Sequence, residues 1–168
     1  MAHLVQYWAD GGDTRLAPTV SNSVHAKART SPADVMLVSA LLNMYFAPVH
    51  RLPHGARHMI TAGGTFTAQT KLFIVGFQQD LPDRLNADGN VSPLPPGLGY
   101  AQLINYTMFA LFKLVSRFES WDEGDGIVLK KLKALPHLHD LGSMIQEAPP
   151  PTPLSEGGRG AGISEGGR

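Results

Sequence analysis

The residues of this chain whose chemistry could do work fall into three groups. His50, His54 and His58 are spaced four apart, a spacing that on one helix would align three imidazoles toward a metal ion. Pro53 and Gly55 interrupt any such helix and no acidic ligand lies nearby, so solvent-exposed loop histidines are the expected outcome. Glu119, Asp122, Glu123 and Asp125 form an acidic cluster. Two of them could in principle supply the carboxylate pair of a glycoside hydrolase. Their place at a helix end beside Gly124 and Gly126 favours acidic residues that keep a loop wet. His137-Leu138-His139-Asp140 offers two imidazoles with no distant third ligand. The sequence has no Gly-x-Ser-x-Gly elbow, no His-Glu-x-x-His and no phosphate loop. With no cysteine, thiolate nucleophiles, thiolate metal sites and disulfides are excluded. The expectation is a protein that is not an enzyme and needs no metal or cofactor.

The elements that would carry these residues read as follows. The first helix starts at Ser31-Pro32-Ala33-Asp34, with a hydroxyl N-cap, proline at the first helical position and an acid on the positive end of the dipole. Val35, Val38, Leu41, Leu42 and Tyr45 then share one face, and Pro48 ends the helix. A loop covers 47–64. The second helix begins near Thr67 and runs to about Asp80, with Leu72, Phe73, Phe77 and Leu81 apolar. Gly76 inside it predicts the close approach of a neighbour. The run Asn86-Ala87-Asp88-Gly89-Asn90-Val91 predicts a tight turn, and Pro93, Pro95 and Pro96 forbid a helix until about Gly99.

The longest helix is expected from Tyr100 to Phe118, with Leu103, Ile104, Met108, Leu111, Phe112, Val115 and Phe118 on its apolar stripe. A further helix, Ile127 to Leu135, carries Lys130, Lys131 and Lys133 on its wet side. A weaker turn or helix follows to about Glu147. Before all of this, Leu4 to Trp8 has strand character, residues 14–30 look irregular, and Tyr7 and Trp8 are expected to pack an N-terminal arm onto the body. The reading is all-α with short extended pieces. It divides into an arm (1–30), a helical domain (31–120), an additional helical segment (121–147) and a flexible Gly/Pro-rich tail (148–168). Within that tail Leu154-Ser-Glu-Gly-Gly-Arg is nearly repeated from Ile163.

Composition limits the partners. Fourteen basic residues balance fourteen acidic ones among 168, giving formal net charge zero and a pI near 7.1. Duplex DNA and anionic membranes attract a net basic face, so neither nucleic acid nor membrane insertion is expected. The N-terminal residues lack a basic start followed by a sustained apolar run, as a signal peptide would have. The expected product is soluble and made in the cytoplasm, and any role outside the cell needs another exit route.

Three stretches resemble the bacterial peptidoglycan-binding domain, a three-helix module appended to many cell-wall hydrolases. That family opens with Val-x-x-Leu-Gln-x-x-Leu-Asn. Here Val35, Leu42 and Asn43 match, with Val38 for Leu and Ser39 for Gln. It continues Asp-Gly-x-Phe-Gly-x-x-Thr-x-x-Ala-Val-x-x-Phe-Gln, matched at Gly64, Phe66, Thr70, Phe77 and Gln78, with Gly63 in place of Asp and Thr67 in place of Gly. Its third piece, Asp-Gly-x-Val-Gly-x-x-Thr, is matched at Asp88, Gly89 and Val91, with Ser92 for Gly and Pro95 for Thr. The resemblance spans residues 35–95. It implies a helical bundle with Phe66 and Phe77 wedged between helices, and a shallow groove beside the glycine turns that takes the wall polymer. The polar candidates it implies for that groove are Thr65, Gln69, Gln78, Asp88 and Asn90, whose amides, hydroxyls and carboxylate suit sugars and peptide stems. Taken singly, each reads better as a turn-former or a solvated helix position. The implied function is non-catalytic binding of peptidoglycan or its fragments. The alternative is the same scaffold used as a protein-interaction or structural module in a phage or secretion apparatus.

Overall fold

Residues His3–Trp8 (β1) and Thr14–Thr19 (β2) form an antiparallel hairpin with His3 opposite Thr19 and Trp8 opposite Thr14. Gly11 and Gly12 take positive φ in its turn, where Ala9 N–H donates to Asp13 O at 2.8 Å. A computed structural model of the chain describes residues 1–61, 63–82 and 87–149. After the hairpin come α1 (Pro32–Val49), α2 (Ala68–Asp80), α3 (Tyr100–Leu103), α4 (Thr107–Glu119), α5 (Gly124–Lys133) and β3 (Ile145–Gln146). β3 pairs parallel with β1, giving a three-stranded mixed sheet in the order β2-β1-β3.

The all-α expectation is therefore corrected: the molecule mixes helices with a sheet. The stretch read as irregular holds β2. Its sequence, Thr-Arg-Leu-Ala-Pro-Thr, shows no alternation, because exposure shifts from its first half to burial in its second. That pattern arises when one end of a strand slides under a helix, and it leaves no period of two to read. Of the turn or helix expected up to Glu147, the structure has turns, closed by Leu138 N–H to Leu135 O, Leu141 N–H to Leu138 O and Ser143 N–H to Asp140 O, followed by β3, held by Leu4 N–H donating to Met144 O at 3.2 Å. The hairpin is also more than an arm. Leu4, Val5, Tyr7, Ala17 and Val20 belong to the same core cluster as the helices, and Tyr7 meets Phe109 of α4 edge-on at 4.9 Å.

α1 is buried on all sides from Ala33 to Leu42 rather than along one face. Its 18 residues have a mean hydropathy of 1.3, long and apolar enough to cross a membrane, yet 61% of them are enclosed by the rest of the protein. A helix apolar all round is a core helix here. Ser31 caps it as expected, its Oγ accepting from Asp34 N–H at 3.1 Å. Asp34 is itself fully buried and accepts from the Ser21 N–H and hydroxyl at 3.0 and 2.8 Å. Pro48 is accommodated inside the last turn, and His50 closes the helix in the left-handed region at φ 49°.

Phe77 is fully buried and meets Tyr45 of α1 edge-on at 4.8 Å, while Phe66 is half-buried against the same core. Gly76 faces Pro53, whose Cβ a methyl group would approach to 2.6 Å, so the close approach expected there is present. Leu72, placed on the apolar face by spacing, is 39% exposed.

The long third helix is two helices. Leu103 and Met108 are both fully buried, but on one continuous helix residues five apart point about 140° away from each other. Breaking the helix at 104–106 lets both enter the core and leaves Ile104 exposed at the break; Phe118, in the last turn of α4, is exposed as well. At the far end of α4, Gly124 opens α5 directly against the Ser116 carbonyl oxygen, leaving no room for a side chain.

Candidate functional site

The five polar residues named from the resemblance separate into two places, joined by α2. Gln69 lies in its first turn and Gln78 near its end. Nine residues on a helix is about 13 Å of rise and two and a half turns, so the two amides face opposite sides. Thr65 and Gln69 belong to the first glycine turn. There Thr67, standing where the family has glycine, serves as N-cap, and its Oγ1 accepts from Thr70 N–H at 3.2 Å while Thr70 Oγ1 accepts from Thr67 N–H at 3.3 Å. Thr65 is exposed, and the Gln69 amide donates to Met59 O at 3.3 Å and reaches His58 O.

The second turn is built differently. Gly89 takes φ 74°. Its buried N–H donates to Gln78 Oε1 at 3.0 Å. Gln78 Nε2 donates in turn to Asn90 O at 3.0 Å and lies 3.1 Å from Thr107 Oγ1 and 3.3 Å from Asp88 Oδ1. Asp88 closes the turn by accepting from the Asn90 N–H and side-chain amide, both at 2.9 Å. Desolvation works against its charge. The hydrogen bonds from the Asn90 backbone, Gln78 and the Asn90 side chain outweigh that and hold its carboxyl below the usual carboxylate range. Gln78 is buried with its amide engaged at both ends, so a ligand arriving here meets Asp88 and Asn90, which are exposed.

Gln78 and Thr107 also form one end of an open cleft of about 260 Å³ between the end of α2 and the α3–α4 corner. Leu81, Pro82, Ile104 and Leu114 give it apolar walls, and Asn105 and Thr107 give it an amide and a hydroxyl. Tyr100, Lys113 and Arg117 line its far end and also line a second recess of about 260 Å³, which reaches the hairpin turn and Trp121. Lys113 is held by Asp125 through both carboxylate oxygens at 2.8 and 2.7 Å. Behind them the Tyr7 hydroxyl is kept protonated far above its usual range, by burial first and then by the Asp125 charge.

Comparison with protein-family models, curated proteins and solved structures returns no match. The functional reading therefore stands on this geometry and on the motif resemblance.

The acidic cluster does not act as a unit. Glu119 pairs with Lys131 at 2.6 Å and Asp125 with Lys113, on separate sides of the α4–α5 junction. Among the described residues no group of three or more histidine or acidic side chains is placed to hold a metal ion. His58 Nδ1 sits 2.9 Å from Met59 O, and His139 pairs with its neighbour Asp140 at 3.1 Å. Tyr100, Lys113 and Arg117, shared by the cleft and the recess, and Trp121 of the recess carry no motif. Their signal is the spacing of Lys113 and Arg117, four apart on one face of an otherwise apolar helix, with Trp121 four further on.

Proposed function

We propose that this chain is a non-catalytic recognition module for bacterial peptidoglycan. The wall fragment would lie over the second glycine turn and into the cleft beside it. The observation that carries this reading is the Gln78 brace. Three residues singled out by the resemblance, Gln78, Asp88 and Asn90, meet at one turn, and that turn opens onto a cleft with the mixed apolar and directional polar lining that glycopeptides need. Asp88, Asn90 and Asn105 offer the donors and acceptors for sugar hydroxyls and peptide amides, and Tyr100 offers a ring edge. No cofactor enters this reading. Pull-down with purified sacculi tests it: the full chain should be retained, and N90A together with N105A should release it while the circular dichroism spectrum is unchanged. Protein left wholly in the supernatant across salt and pH contradicts the reading.

The second reading, a protein-interaction or structural module, is favoured by one observation. Ile104 in the cleft and Trp121 in the recess that continues it, at 42% and 82% exposure, leave apolar surface there. A stable homo-oligomer dissociated by W121S would support it over wall binding.

A further inference from the structure

The recess beyond Arg117 differs in chemistry from the cleft it continues. Around it stand Asp10 from the hairpin turn, Arg15 near the start of β2, Arg117 on α4 and Asp122 just after it. Among the described residues none of these four has an oppositely charged partner within 4 Å, whereas the neighbouring Lys113 and Asp125 neutralise each other. Two unpaired cations and two unpaired anions thus surround one open space of about 260 Å³. Arg117 is fixed on two sides, its guanidinium 5.6 Å from the Trp121 ring centroid and donating to the Tyr100 hydroxyl at 3.3 Å. A guanidinium oriented by an aromatic face and a hydroxyl still presents N–H groups for a carboxylate. Ser116, 3% exposed, lines the same recess, and its Oγ has no hydrogen-bond partner. A buried hydroxyl left unsatisfied is costly unless something fills its need.

We propose that this recess takes a zwitterionic short peptide, its carboxylate on Arg117 and Arg15 and its ammonium on Asp122 and Asp10. Resting on the wall-binding reading, the inference makes the stem peptide, with its free carboxylates and amine, the part of the fragment held here, while the glycan lies over the turn and cleft. A neutral sugar would leave all four charges unanswered. A purely anionic ligand would meet Asp10 and Asp122.

Calorimetry on the full chain tests this with two probes: the free stem tetrapeptide Ala-γ-Glu-diaminopimelate-Ala, and glycan strands stripped of peptide. The tetrapeptide should bind saturably. R117Q and D122N should each weaken it at least tenfold with an unchanged circular dichroism spectrum, and D122N, whose residue lines the recess and not the cleft, should leave binding of the stripped glycan unchanged. Arg117 and Asp122 are exposed, so neither variant threatens the fold. Absence of tetrapeptide binding, or affinity unmoved by both variants, overturns the inference. If sacculi and stripped glycan still bind in that case, the wall reading survives without it. If the tetrapeptide binds with the expected charge dependence while sacculi are not retained, the peptide site stands and the wall reading falls.

Discussion

The two glycine turns look alike in the sequence and are held by different physics. At the first, glycine is needed for space: a methyl group on Gly64 would lie 2.8 Å from the Cα of Pro32, the residue that opens α1. At the second, glycine is needed for conformation: Gly89 sits at φ 74° and its N–H is satisfied by a side chain from α2. The first turn joins two helix starts and is finished by its own capping box. The second depends on Gln78, eleven residues back, and lies beside open surface. A motif that treats the turns as equivalent therefore hides a difference, with tight packing at one and open surface beside the other.

The largest effect that would sharpen this contrast is at Gln78. Q78M keeps the volume but strands the buried Gly89 N–H and removes the link to Thr107, so it should cost about 3 kcal/mol in urea unfolding. A loss below about 1 kcal/mol would mean the turn holds itself. G64A should cost about 2 kcal/mol by overpacking against Pro32, while leaving ligand affinity of the folded fraction unchanged. Affinity lost at Gly64 in a folded protein would break the division. Q69M, which removes a surface amide bond to the His58–Met59 backbone, should cost no more than about 0.5 kcal/mol. The two glutamines of α2 thus make a matched pair with unequal outcomes.

The smallest effect is acidic. Asp88 is more easily ionised in the fold than in the unfolded chain. The stability it contributes is present above the unfolded value of about 3.9 and is lost as pH falls through the lower folded value. Protection of the Gly89 amide against hydrogen exchange, measured relative to the intrinsic rate at each pH, should fall below about pH 4, and Asp88→Asn should remove that dependence. An unchanged profile in the variant would assign it to another carboxylate.

Local chemistry was legible where one stretch of chain decides the outcome. Ser31, Pro32 and Asp34 start α1, Gly76 marks the approach of Pro53, and Phe77 reaches α1. What escaped is set by partners distant in sequence. β2 exists because β1 pairs with it and α4 covers it, and β3 is two residues long and formed by Leu4 and Val5. The break between α3 and α4 answers the needs of the core, not the propensities of Ile104 and Asn105. The site divides in the same way. Asp88, Gly89 and Asn90 announce a turn locally, but their bonds to Gln78, the bond from Gln78 to Thr107, and the meeting of Arg15 with Arg117 and Asp122 require the fold. Residues 150–168, which hold the repeated Leu154 and Ile163 segments, lie outside the described residues.

The division between the turns is tested most directly by titrating a soluble peptidoglycan fragment into isotopically labelled protein and following backbone amide shifts by NMR. Saturable shifts should concentrate at Asp88, Asn90, Asn105, Thr107 and Arg117 and spare Thr65 and Gln69. Shifts centred on Thr65 and Gln69, or none anywhere at millimolar fragment, would contradict it.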